Sequence, residues 1–155
     1  MNQKKLSGVL ILAGAMAALG MAFLFYIVPA YLQLRGRNAL YSLTHMAIGV
    51  PYMIALWNYF RICQNIGRDR SFCRENALRM DRIAMLLFLA SGLWTVLLVA
   101  ILLLSRDAGS DYTAIILVED GLALVATLAV ALVAKMMALL VSRANHLQEE
   151  NDLTI

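Results

Sequence analysis

The side chains in this sequence whose types could do chemistry fall into four small groups. His45 and the neighbouring acids Glu119 and Asp120 interrupt otherwise apolar runs. Cys63 and Cys73 are the two thiols, and Arg61 to Arg82 gathers six of the thirteen Lys and Arg residues. The fourth group is the acidic end, with Glu149, Glu150 and Asp152. An imidazole facing a carboxylate can hold, pass or sense a proton, or serve a metal. An acid at the centre of a bilayer costs about 2.5–3.5 kcal/mol, so ionisable groups inside spans mark the first places to look for function. Two thiols separated by nine residues fit neither a zinc nor a redox spacing and are read as reduced and unligated. The sequence contains no His-Glu-x-x-His helix, no Gly-x-x-x-x-Gly-Lys-Ser/Thr loop, no Gly-x-Ser-x-Gly elbow and no Cys-x-x-Cys pair. His146 is far along the chain from His45, a poor metal set. No enzyme, metal centre or cofactor is expected.

The elements that must position these groups are read from hydropathy. The chain of 155 residues is 62% hydrophobic, with a mean hydropathy of +0.74, against about 45–50% apolar residues in soluble domains. One membrane domain is expected, an all-α bundle of four transmembrane helices with short loops. The spans are placed at about 6–28, 41–59, 83–104 and 113–134. Each is close to the roughly 20 residues that cross a hydrocarbon core. The first run is too long for a signal-peptide core and reads as an uncleaved helix. Gly14, Ala18 and Ala22 form a small-residue row on it that would let another helix approach closely. Pro29 is expected to end or kink the first helix and Pro51 to kink the second. Trp94, near the middle of the third span, is expected to pack between helices.

Between spans two and three lies the polar stretch 61–82. Gly67, Arg68 and Asp69 read as a break. Ser71 reads as the N-cap of a helix starting near Phe72, on the membrane surface or against the other cytoplasmic parts, that feeds directly into the third span, with Glu75 and Arg79 as an i, i+4 pair. After span four, Lys135 is expected to snorkel to the interface, and 136–155 to continue as a helical tail. Four spans put both termini and the polar stretch on one side. That side carries Lys4, Lys5, six arginines, Lys135 and Arg143, and the other only Arg35, Arg37 and Arg106. Ten against three orients both termini to the cytoplasm by the positive-inside rule. The clustering of charge at segment ends is a topology signal, and no direct nucleic-acid binding is expected.

Counting from the outer ends of spans two and four puts His45 at a depth similar to Glu119 and Asp120. Adjacent helical residues point about 100° apart, so only one acid can face the imidazole directly. The ordinary reading is three polar groups at the outer interface, wet or hydrogen-bonded between helices. The sharper reading is a proton or metal sensor, or part of a transport path. The polar stretch likewise reads as an orientation signal, an anionic-lipid surface, or a docking surface shared with the acidic tail.

The ending LQEENDLTI and the stretch DRSFCRENALRMDRIA together resemble a prokaryotic family of small four-helix membrane proteins known as domain of unknown function 2975. The resemblance covers nearly the whole chain in length and span order. Its residues are Phe72, Glu75, Asn76, Leu78 and Ile83 in the middle, and Glu150, Asn151, Asp152, Leu153 and Thr154 at the end. The Glu119–Asp120 pair departs from the family pattern. The resemblance implies a multi-pass protein of the prokaryotic cytoplasmic membrane with no assigned activity. Members often sit beside a helix-turn-helix regulator, which implies a non-enzymatic protein that sequesters or signals to a cytoplasmic partner. On that reading Phe72, Glu75, Asn76, Arg79, Glu150, Asn151, Asp152 and Leu153 carry the docking surface. Two other readings stand beside it: a small-solute or proton transporter or sensor using His45 with Glu119 or Asp120, and a structural subunit of a larger or homo-oligomeric assembly.

Overall fold

The computed structural model describes residues 3–34, 39–68, 71–104 and 111–152, and all regular structure among them is helical. The first helical rod is α1 (Gln3–Ala22), a π-helical turn at Phe23–Ile27, and α2 (Val28–Leu34). Pro29 has no N–H, and its ring crowds the carbonyl four residues earlier. The wide π turn just before it absorbs that conflict, so the helix is not ended at Pro29 but continues through Leu34. Arg35, Arg37 and Arg106, used above to orient the chain, lie outside the described residues, as do Leu153 and Thr154.

The second rod, α3 (Ala39–Gly67), carries Pro51 within it. Then come α4 (Arg74–Leu104) and α5 (Asp111–Asp152), the latter one continuous helix of 42 residues. At 1.5 Å per residue α5 is about 63 Å long, twice the thickness of a hydrocarbon core of about 30 Å. Within the polar stretch 61–82, Arg61 to Gly67 completes α3, and the expected break after Gly67 separates it from α4. Arg74 to Arg82 is the first part of α4, which runs directly into the third span as expected. Ser71 is not the N-cap; the Cys73 carbonyl accepts the first N–H groups of α4, from Asn76 at 3.0 Å and Ala77 at 3.3 Å.

Among the described residues three segments are long and apolar enough to cross a membrane, Lys4–Tyr31, Arg74–Leu103 and Ile116–Asn151, containing 18-residue stretches of mean hydropathy 2.3, 2.6 and 2.4. They mark the chain as a membrane protein. The rod α3 is not among the three. It carries Ser42, His45, Pro51 and Asn58, and it lies between α1 and α4, with buried Ile48, Ala55, Leu56, Ile62 and Cys63 turned into the protein. Its His45 meets Asp120 of α5, and its Asn58 donates to the Ile54 carbonyl one turn back. The outer rod α1 is the reverse: Val9, Leu12, Met16, Leu19 and Phe23 are all exposed.

Each rod packs on the next in the chain, α1 on α3, α3 on α4 and α4 on α5. The α4–α5 seam has a heptad rhythm. On α5 the positions turned inward are Asp120, Leu124, Thr127, Ala131, Ala134, Ala138 and Val141. On α4 they are Ala77, Met80, Ala84, Leu87, Ser91 and Trp94. Alternating steps of three and four keep one face toward a partner, and the many alanines let the backbones approach. The pair is antiparallel: Asp81 meets Lys135, while Trp94 lies beside Asp120 and Ala123. On the α1–α3 side Gly14 does the same service. A Cβ there would stand 2.7 Å from the Tyr59 ring, and one at Gly49 would meet Phe25 at 2.7 Å. The Tyr59 hydroxyl donates to the Leu10 carbonyl at 3.1 Å, tying the same two rods.

Candidate functional site

At the end of the bundle where α3 and α5 begin, His45 and Asp120 come together, with Nε2 and Oδ1 3.6 Å apart. The Asp120 side chain is buried at 5% exposure and that of His45 is mostly covered, at 13%. The helical geometry decides which acid faces inward: Asp120 takes the seam position and Glu119, about 100° around α5, is exposed. The imidazole is held from its other side. Nδ1 lies 3.3 Å from the Tyr41 carbonyl one turn back, and since a carbonyl can only accept, Nδ1 carries the hydrogen. Nε2 then bears a proton only when the ring is charged. A charged ring makes an ion pair with Asp120, whereas a neutral one turns a lone pair toward a carboxylate. The separation is longer than a hydrogen bond, and the second oxygen, Oδ2, is buried with no hydrogen-bond partner. Among the described residues the Ser42 hydroxyl is the other such buried side-chain atom.

Aromatic rings enclose the pair. Tyr41 lies 4.3 Å from the imidazole, and Trp94 meets it edge-on at 5.1 Å. Trp94, expected from sequence to pack between helices, is buried there and also approaches Phe25 from the π turn at 6.3 Å. Its indole N–H donates to the Tyr52 hydroxyl at 3.2 Å, and Tyr52 is in turn hydrogen-bonded to Thr127 of α5. The direction of that last bond is fixed by hydrogen count. The single Thr127 hydrogen goes to the Ala123 carbonyl at 2.7 Å, so Tyr52 donates to Thr127. Trp94, Tyr52, Thr127 and Ala123 thus form one donor chain linking α4, α3 and α5, in which each bond polarises the next. Tyr52 and Thr127 escaped the sequence reading. The available signal was the polar atom each carries within an apolar run.

Two cavities flank this chain. One, of about 320 Å³, is lined by Phe25, Tyr41, His45, Trp94, Glu119 and Asp120. The other, of about 370 Å³, is almost wholly apolar, with Met21, Tyr52, Ile83, Leu87, Thr127 and Val130 on its walls. Both sit in the cleft between the first rod and α5, the first beside the π turn and α2 and the second beside the end of α1, and the rod and α5 have no close backbone approach to each other among the described residues.

At the opposite end of the bundle the α3–α4 junction is held by asparagines. The Asn65 side chain donates to Asn76 Oδ1 at 2.8 Å, and Asn76 donates on to the Ser71 carbonyl at 3.0 Å. Asn76 is 1% exposed, so it belongs to the interior of the junction and is not part of an exposed docking surface. Phe72 and Glu75 are exposed, and Arg79 lies 4.0 Å from Glu75 as their i, i+4 spacing predicts. Cys63 is buried beside Tyr59; burial pushes its thiol up, with the Tyr59 hydroxyl offsetting part of the shift. Lys135 does not reach the interface alone but pairs with Asp81. Beyond it α5 continues for about 25 Å, and every side chain from His146 to Asn151 is exposed, including Leu147. Glu149 and Glu150 make contacts within the helix, to Asn145 at 2.8 Å and His146 at 3.4 Å. The Asp152 side chain and all of Leu153 lie outside the described residues.

Comparison with protein families matches residues 9–155 to the family described as "Protein of unknown function (DUF2975)". Comparison with the curated proteins and with the solved structures finds no match.

Proposed function

The chain belongs to the DUF2975 family of unknown function, and on its geometry we propose that it is a non-enzymatic regulatory protein of a prokaryotic cytoplasmic membrane. In this reading all four rods span the bilayer and both termini face the cytoplasm, as the positive-inside asymmetry favours. The His45–Asp120 pair receives a signal within the membrane, and the tail of α5 presents it to a soluble partner. The observation that carries this reading is the continuity of α5. One unbroken helix holds Asp120 in a buried, incompletely satisfied pair at one end and the exposed residues His146 to Asn151 at the other.

The distances fit a membrane. Asp120 and Lys135 are about 22 Å apart along the helix axis, within a core of about 30 Å. With Lys135 at the inner boundary, His45 and Asp120 lie inside the outer leaflet. Proton loss from His45 would set two acceptors against each other and shift α3 against α5. The groups facing the imidazole are Asp120 and Glu119 from α5, Tyr41 on its own helix and Trp94 from α4. A stiff helix that moves at Asp120 also moves at its tail.

The test is affinity purification of the full chain, of a chain lacking 149–155, and of His45→Gln, each at pH 6 and pH 8. A soluble protein retained by the full chain in a pH-dependent amount, and absent with the shortened chain, is the expected result. Equal retention without the tail sinks the output half of the reading. An unchanged pH response in His45→Gln sinks the input half.

A further inference from the structure

We infer that the cavity between α5 and the π turn and α2 of the first rod is a binding site for an organic ammonium ion carrying an apolar chain, its cationic head against Asp120. This deepens the proposed function, since it rests on His45–Asp120 being the receiving site and names what the site takes besides a proton.

The charge of the site fixes the sign of the ligand. The head cavity has two carboxylates, Glu119 and Asp120, and one imidazole, with no Lys or Arg on its walls. Acidic side chains thus outnumber basic ones around the cavity. The Asp120 side chain is more than nine-tenths buried, and its Oδ2 lacks a hydrogen-bond partner while the residue lines the cavity. A buried carboxylate oxygen without a donor is rare and costly, and a cationic N–H group supplies the missing bond. The walls select an organic cation. Phe25, Tyr41 and Trp94 present aromatic rings around the acid, the arrangement that attracts an ammonium group carrying carbon substituents. A bare metal ion would need several hard ligands, and no cluster of three or more His, Cys, Asp or Glu side chains fit to hold one occurs among the described residues.

The same cavity provides for the apolar chain. Besides the aromatic rings its walls include Leu24, Val28, Pro29 and Ala123, so carbon attached to the cationic head lies against carbon. Its volume of about 320 Å³ is at the small end of ligand-sized pockets and matches a head of a few heavy atoms with the first carbons of an alkyl chain. The apolar cavity of about 370 Å³ is separate, beyond the Trp94–Tyr52–Thr127 chain. An occupant of this kind competes with the His45 imidazolium for Asp120, so ligand and proton act on one carboxylate from opposite sides.

The chain has two tryptophans, and Trp57→Phe leaves Trp94, on the cavity wall, as the reporter. The protein in nanodiscs is titrated with octylammonium chloride, with octanol and octyl sulfate as neutral and anionic controls of equal tail length. Saturable quenching by octylammonium alone is expected. Asp120→Asn is expected to weaken it about tenfold or more, the loss of one charge-assisted contact. His45→Gln, which removes the competing imidazolium and keeps Asp120, is expected to tighten it several-fold at pH 6. Equal binding of octanol, or unchanged affinity in Asp120→Asn, overturns the inference. Where Asp120→Asn does not fold, weakened or unchanged binding in His45→Gln overturns it instead. No partner protein enters this assay, so its failure leaves the tail-dependent retention described above standing, and the reverse holds as well.

Discussion

α5 carries two inter-helical ion pairs, and they are built to opposite specifications. His45–Asp120 joins α5 to α3, is nearly inaccessible, leaves 3.6 Å between its charged atoms, and strands one carboxylate oxygen. Asp81–Lys135 joins α5 to α4 in direct hydrogen-bond contact, with both side chains a little over two-fifths exposed. The wet pair can reorganise with solvent and contributes little, about 0–1 kcal/mol for such exposed partners. The dry pair, when His45 carries its proton, has no solvent beside it to spread that charge. Taking charges out of water costs more than a loose contact returns, and removing one partner of a buried pair costs about 3–5 kcal/mol. The same helix thus has a tolerant contact at one depth and a sensitive one about 22 Å away.

The largest effect expected from this contrast is at His45. His45→Ala leaves Asp120 buried without its counter-charge and should destabilise the protein by about 3–5 kcal/mol in reversible denaturation from detergent micelles. The double variant His45→Leu with Asp120→Leu, which removes both charges and fills the space, should recover most of that loss. A double variant as unstable as the single one would show that packing, and not charge, is what His45 supplies. Lys135→Met is the counterpart at the wet pair. It should cost no more than about 1 kcal/mol in the same measurement, and a loss as large as that of His45→Ala would erase the distinction between the two pairs.

The smallest effect is kinetic and concerns the thiols. Burial raises the pKa of Cys63, so at a given pH it has less thiolate, and the thiolate is the species that attacks a maleimide. In the folded protein Cys73, only partly buried, should be alkylated first. Cys63 should speed up as pH rises and become equal to Cys73 only on unfolding, as read by mass spectrometry. Equal labelling of both in the folded state would contradict the close packing of α3 at this end.

How much of this was legible in the sequence depended on whether a signal was local. Uninterrupted apolar runs marked α1 and α4 directly, and a longer run broken only by Glu119, Asp120 and Lys135 marked α5. The meeting of His45 with one acid was also legible, because depth can be counted from two helix ends and 100° per residue separates Glu119 from Asp120. The path of the polar stretch was legible in part. Gly67 was a sound place to break a helix, and the next helix does run into the third span, but its start on the Cys73 carbonyl rather than at Ser71 was not marked by any capping residue. Lys135 could be placed near an interface by its charge, yet its partner Asp81 lies 54 positions away and no periodicity joins them. The Trp94–Tyr52–Thr127 chain likewise exists only after three rods have docked.

The neighbour order of the rods bears on how the protein is made. Every major contact joins rods that follow one another in the chain, with α5 packed on α4, α4 on α3 and α3 on the first rod. Low sequence separation between partners favours rapid assembly, and synthesis delivers these partners in the order in which they pair. Each helix leaving the ribosome can find its mate already in the bilayer. The His45–Asp120 contact, which reaches past α4 to join α3 and α5, is completed only when the last helix arrives.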